Sequence, residues 1–200
     1  MATQIERREA TITRLVDATI AVLHELGYAA ASTQVICDRA GVSQGALFRH
    51  FKTRRALMAH AAEVVALRQI ETFRSRVPAD RVVATEADAR ELIADAVALG
   101  DSPENHTWHE LMTAARTDAA LRAELQDATD TYQREILMAA AQVLGQRIAG
   151  EIFVPTMRLI LSVVDGLALA APLTHDQAGI DAAVDTFAQI LWAGTQGENA

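Results

Sequence analysis

A chain of 200 residues, 50% hydrophobic and 4% aromatic, with a net charge of −8, is long enough for one large domain or a small domain joined to a larger one. A composition dominated by Ala, Leu, Val and Ile and sparing in Gly and Pro excludes a disordered or low-complexity protein. The single cysteine, Cys37, excludes an internal disulfide framework and fits a reducing cytosol.

The charge is uneven. Residues 1–60 carry eight Lys/Arg against five Asp/Glu, and residues 61–200 carry ten Arg against 21 Asp/Glu. A basic head on an acidic body points to nucleic-acid contact through one end, although a surplus of three charges is also compatible with drift in surface charge. The charged start "MATQIERREATITR" has no apolar core and predicts no secretion signal. The longest apolar run, Leu159–Leu173, has 15 residues and contains Asp165, short of the ~20 residues of a membrane span. These features predict a soluble, cytoplasmic protein with no membrane partner.

Helical spacing of Ile12, Leu15, Val16, Thr19, Val22, Leu23 and Leu26 predicts a first helix stopped by Gly27. Ser32 or Thr33 caps a second short helix to Ala40, and "AGVS" is a tight turn with Ser43 capping a third, from about Gln44 to His50. A fourth begins near Arg54 and runs to about Val77, before a loop at Pro78–Asp80. Thr85 or Glu86 opens a fifth, ending at Gly100, and Pro103 sits in the first turn of a sixth. Thr117 or Asp118 starts a long one closed by Gly145, followed by an apolar helix over about 154–171 and a last one over about 176–193. With no alternating strand pattern, the expectation is an all-α protein of about nine helices.

Three helices in about fifty residues, with a short turn between the second and third, match helix-turn-helix spacing. At 100° per residue, Leu47 and Phe51 share the inward face of the third helix, and Gly45 and Arg49 lie opposite. Gly45 costs a helix ~1 kcal/mol relative to alanine, a cost that makes sense where backbone must approach something bulky, such as a major-groove floor. Gln44 has the chemistry to read adenine edges, Arg49 to reach guanine or phosphate, and Phe48 to pack on a thymine methyl or a sugar. A helical corner with an incidental glycine is the competing reading.

Residues Ser32–Leu57, "STQVICDRAGVSQGALFRHFKTRRAL", with the Gly27-Tyr28 turn before them, resemble the DNA-binding domain of the TetR family of bacterial transcriptional repressors. The resemblance implies a helix-turn-helix DNA-binding domain over 1–53 and a larger helical ligand-binding and dimerisation domain over 54–200. It places Thr33 and Gln34 at phosphate and base contacts, Gln44, Gly45, Ala46, Phe48 and His50 on the recognition helix, and Arg54 on a phosphate. With Ser43 and Arg49 these form the expected DNA-binding set. Phe48 stands where a tyrosine is common, Gln44 where a lysine is frequent, and Ala31 where a threonine is frequent.

For the body, the helix carrying Leu161 and Val164 has apolar residues all round, and Ile180, Val184, Phe187 and Leu191 make a stripe on the last one. Pairing these with symmetry mates predicts a homodimer through a four-helix bundle. Phe73, Trp108, Met112, Tyr132 and Met138 are expected to line an effector pocket with His109 or Arg116 as polar anchor, against the alternative that they are plain core. His106 and His109 lack a third ligand in view, so no metal is expected, Cys37 is read as structural, and no cofactor is predicted. An enzyme is the rival class, but no Glu-x-x-His pair, His-Glu-x-x-His motif or phosphate loop occurs. The expected function is a repressor that binds a pseudo-palindromic DNA operator as a homodimer and is released by a small-molecule inducer. An activator is the alternative.

Overall fold

In a computed structural model, residues 3–77, 81, 83–144, 148 and 150–196 are described. They form ten α-helices and no strand: α1 (Gln4–Ala30), α2 (Thr33–Ala40), α3 (Gln44–His50), α4 (Arg54–Arg76), α5 (Glu86–Ala98), α6 (Pro103–Ala115), α7 (Ala119–Glu124), α8 (Gln126–Leu144), α9 (Gly150–Ala170) and α10 (Gln177–Gln196). Short 3-10 turns at Leu99–Asp101 and Ala171–Leu173 follow α5 and α9.

The starts are written in side chains that satisfy orphan backbone N–H groups. Ser32 accepts from Val35 N–H, Ser43 from Ala46 N–H, and Asp118 from the N–H groups of Ala120 and Leu121. Thr85 and Asp88 form a reciprocal capping box on α5, and these hydrogen bonds hold the Asp88 carboxyl below the usual carboxylate range.

One long helix expected between residues 117 and 145 is two, which raises the count from about nine to ten. Leu125, at φ −85° and ψ −7°, separates α7 from α8, and the break lets both Leu121 and Leu125 bury in one core. The apolar helix begins at Gly150 rather than near Val154, with Pro155 inside it. Together with the turn after it, Gly150–Leu173 is 24 residues long, enough in length and composition to cross a membrane, where the shorter sequence run fell short. The expected loop at Pro78–Asp80 and the stop at Gly145 lie outside the described residues.

The chain divides into two compact units, residues 1–69 with 103–132, and residues 70–102 with 133–200. In the first, Leu15, Val16, Ile20, Val22 and Leu23 of α1 bury against α4 residues such as Leu57, Met58 and Val65, and against Trp108 and Leu111 of α6. Leu47 and Phe51 pin the recognition helix to this core. Seven residues of helix do not persist alone in water, so this anchorage is what makes α3 helical; burying a side chain such as Leu47 contributes about 1.5–3 kcal/mol. The second unit has its own cores. Ile93, Ala140, Met157, Ile160, Val164, Val184 and Ala188 form one, and Val77, Val83 and Leu92 another. An Arg90–Asp185 ion pair joins α5 to α10.

The corner between α1 and α2 is tied down from both α4 and α6. Gly27 sits at φ +74°, where a side chain is strained, and interrupts α1 as the sequence predicts. Tyr28 follows, and its N–H donates to Glu110 Oε2 of α6 at 2.7 Å. Arg54 of α4 donates through Nε to Ala31 O at 2.8 Å and through Nη2 to Tyr28 O at 2.5 Å, with its guanidinium 4.1 Å from the Tyr28 ring centroid. Nearby, Thr107 Oγ1 donates to Ile20 O, and the His24 and His106 rings stack 4.8 Å apart.

A lysine has no planar fork to span two carbonyls and a ring, and hydrogen bonds from charged groups contribute about 1.5–3 kcal/mol. Arg54→Lys is therefore expected to lower unfolding stability by about 1–2 kcal/mol in urea titrations. Glu110→Ala, which strips the partner from the Tyr28 N–H, should cost about 1–3 kcal/mol. Glu110→Gln, which keeps an acceptor oxygen, should cost less than half as much.

Candidate functional site

The α2–α3 pair has helix-turn-helix geometry. Gly41, at φ +61°, ends α2 in the left-handed conformation, and three residues later α3 starts under the Ser43 cap. With Leu47 and Phe51 turned inward, Gln44, Gly45, Phe48 and Arg49 are exposed on the opposite side, Phe48 at 48%. Ala46 and His50 flank this face half-buried. A Cβ built on Gly45 meets nothing closer than Ser43 Oγ at 4.0 Å. The protein's own packing thus does not require a glycine there.

The Gln44 side chain is already oriented from within the motif. Its Nε2 donates to Gln34 Oε1 at 2.7 Å, and Gln34 Nε2 donates to Asp38 Oδ1 at 2.7 Å. An amide held by one N–H keeps an oxygen and a second N–H for a base edge. Thr33 is half-buried at the start of α2, and the Ser43 hydroxyl is engaged in capping. Two of the five N–H donors of Arg54 are taken by the Tyr28 and Ala31 carbonyls, which leaves others for the phosphate contact that the resemblance implies. Arg39 is likewise engaged, in a bidentate pair with Glu25 that holds the Glu25 carboxyl low. Cys37, 2% exposed, packs between α2 and its neighbours, and burial pushes its thiol pKa up, the opposite of a reactive thiolate.

A second feature lies in the 70–102 and 133–200 unit. Side chains of α5, α8, α9 and α10, with Phe73, line a partly open cavity of about 230 Å³. Of the seven residues expected to line an effector pocket, Phe73 is the one that lines this cavity. Trp108, Met112 and Tyr132 pack on the core of the other unit, Trp108 and Tyr132 stacked with ring centroids 4.7 Å apart. His109 is half-buried on α6, Arg116 is exposed just after it, and Met138 is half-exposed on α8. Ala89, Leu92, Ile93 and Ala96 on α5 and Ile136, Ala140, Val143 and Leu144 on α8 line the cavity instead. Their helical spacing, i, i+3, i+4, i+7 on α5 and i, i+4, i+7, i+8 on α8, is visible in the sequence, but an ordinary core stripe has the same spacing.

The residues expected at a dimer interface face inward to a large degree. Val164, Ile180 and Val184 are buried in their own unit, Leu161 and Leu191 line the cavity, and Phe187 packs on the core. Helical geometry puts a second apolar set elsewhere on the same two helices, and Leu159, Leu169 and Ile190 are exposed at 67%, 47% and 63%. No group of three or more His, Cys, Asp or Glu with metal-site geometry occurs among the described residues. His106 meets His24 and Glu110 meets Tyr28 N–H.

Comparison with known proteins agrees with this geometry. The family model for bacterial regulatory proteins of the tetR family matches residues 15–61, which span α2, α3 and the start of α4. The HTH-type transcriptional regulator Rv2912c of Mycobacterium tuberculosis is 42% identical over 173 residues, 84% of this chain and 85% of its own length. The HTH-type transcriptional regulator CymR of Pseudomonas putida is 31% identical over 128 residues, 62% of this chain and 60% of its own. Among solved structures, a transcriptional regulator from Rhodococcus sp. Rha1 superposes with a TM-score of 0.73 at 24% identity, covering 92% of this chain and 96% of that one. The all-α architecture, the exposed face of α3 and the extent of these matches lead to one assignment: the chain belongs to the TetR family of bacterial regulatory proteins and is a helix-turn-helix transcriptional regulator.

Proposed function

We propose that the protein is a cytoplasmic repressor that binds a pseudo-palindromic operator as a homodimer and leaves it when a small-molecule effector occupies the cavity. The observation that carries the DNA-binding part is the face of α3. Gln44, Gly45, Phe48 and Arg49 stand exposed over the Leu47 and Phe51 anchor, and Gly45 has open space where a side chain would fit. Gly45 then serves what comes from outside, close approach to base edges. The head taken as residues 1–53 carries the contacts, with Gln44 reading a base through its tethered amide and Arg49 and His50 reaching guanine or phosphate. Thr33, Gln34 and Ser43 position the helix, and the acidic body discourages non-specific association with DNA.

Dimerisation follows from the exposed apolar residues of α9 and α10. A self-complementary interface through Leu159, Leu169 and Ile190 would cover them, and it explains the hydropathy of Gly150–Leu173 without a membrane. Two heads related by a two-fold axis suit half-sites about one helical turn apart. Effector and operator binding oppose each other through one reciprocal coupling free energy.

Selection of genomic fragments by the purified protein at near-physiological salt should enrich one inverted repeat; uniform binding that weakens steeply with salt would sink the reading. On the selected operator, Gly45→Ala should raise stability by up to about 1 kcal/mol. Gly45→Leu should fold normally yet lose operator binding at least tenfold. Gln44→Ala should cost about 1–3 kcal/mol of binding and relax preference at one base pair per half-site. In sedimentation, the double variant Leu159→Glu, Ile190→Glu should run as a folded monomer at concentrations where the parent is a dimer.

A further inference from the structure

We infer that the effector of this regulator is an uncharged, apolar molecule of about nine or ten non-hydrogen atoms, with room for one hydroxyl but none for a carboxylate or an ammonium group. The inference rests on the proposed effector role of the cavity and adds the chemistry of what enters it.

The lining decides the class. Phe73 and Trp192 supply aromatic surface, and Leu92, Ile136, Met157 and Ile160 represent an otherwise aliphatic wall. Among the described lining residues, Thr156 carries the one side-chain hydroxyl, and none is charged. An ion in such a site loses its hydration with no partner in exchange, a penalty of several kcal/mol even after relaxation. The arginines of this unit near α5 are already neutralised: Arg81 pairs with Glu91 and Asp95, and Arg90 with Asp185. Among the described lining residues a carboxylate would find no counter-charge. The expected anchors, His109 and Arg116, are not among the described lining residues.

The volume sets the size. A dry apolar cavity of roughly 150 Å³ holds benzene. At about 230 Å³ and partly open, this one covers an apolar portion about half as large again, the bulk of two fused rings or of a benzene bearing a short alkyl chain. The flexible thioether of Met157 lets the wall adjust to shape. The competing occupant is a second copy of the chain, whose side chains would enter beside Ile152 and Ile190, exposed at 45% and 63%.

Four probes share one ring system and differ in charge: naphthalene, 2-naphthol, 2-naphthoate and 2-naphthylmethylammonium. Titrated into the full chain by calorimetry, with thermal unfolding as a second readout, the two neutral compounds should bind and raise the midpoint. The two ions should bind at least tenfold more weakly. Thr156→Val should erase any advantage of the naphthol over naphthalene. Ala140→Phe, or the milder Ala96→Leu, should fill the space and abolish binding while circular dichroism stays helical. Equal binding of either ion, unchanged naphthalene binding in both filled variants, or no binding by any of the four would overturn the inference. The last result, with an intact dimer, would assign the space to the second copy. The effector role fails separately: neutral probes that bind without displacing operator DNA would refute that role and leave the cavity's chemistry standing.

Discussion

Everything that the recognition helix can do depends on the corner at Tyr28. A backbone that leaves α1 through a left-handed glycine has no helical ladder to fix its next direction, so side chains must fix it. One residue is gripped from both ends of its peptide groups, its N–H by a carboxylate from α6 and its carbonyl by a guanidinium from α4. The same guanidinium lies on the Tyr28 ring and reaches on to Ala31. Because α2 starts immediately after, the orientation of the helix-turn-helix relative to α1 is set by these few bonds and by the burial of Leu47 and Phe51.

The arrangement also changes how the charge of the head is understood. Counting residues gives an excess of cations in the first sixty positions, but several of them work internally. Arg39 holds Glu25, Arg54 holds the corner, and Arg55 pairs with Asp118 at 3.0 Å. Arg49 and Lys52 have no ion pair among the described residues and stand exposed around the end of α3. Part of the cationic surplus of the head is thus spent on internal ion pairs and hydrogen bonds.

Most of the fold was legible in the sequence because its signals are local. Caps at Ser32, Ser43, Asp118 and Thr85, the turn glycine Gly41 and the inward pair Leu47 and Phe51 each act within a few residues of where they are read. What the sequence hid is tertiary. Arg54 follows the motif of a phosphate contact, and nothing local shows that it also ties two carbonyls more than twenty residues away. Trp108 and Tyr132, read as pocket aromatics, pack on a core, while the wall of the cavity on α5 and α8 consists largely of Leu, Ile, Val and Ala spaced as any buried stripe is. An interior hollow arises from how helices meet, and no single stripe records it. The short helix α7 escaped for a similar reason, since the break at Leu125 serves packing rather than a turn motif.

The two compact units keep separate hydrophobic cores, one holding the reader of DNA and the other the hollow. Cores tolerate exchange among apolar side chains when volume is roughly kept. Substitutions that reshape the hollow on α5, α9 and α10 fall on residues that contribute nothing to the packing of Leu47 or Phe51. The shape of the hollow is thus free to drift over evolutionary time while the packing beneath α3 stays put, and the reverse holds for changes on α3. A lineage built this way can remodel one unit without disturbing the core of the other.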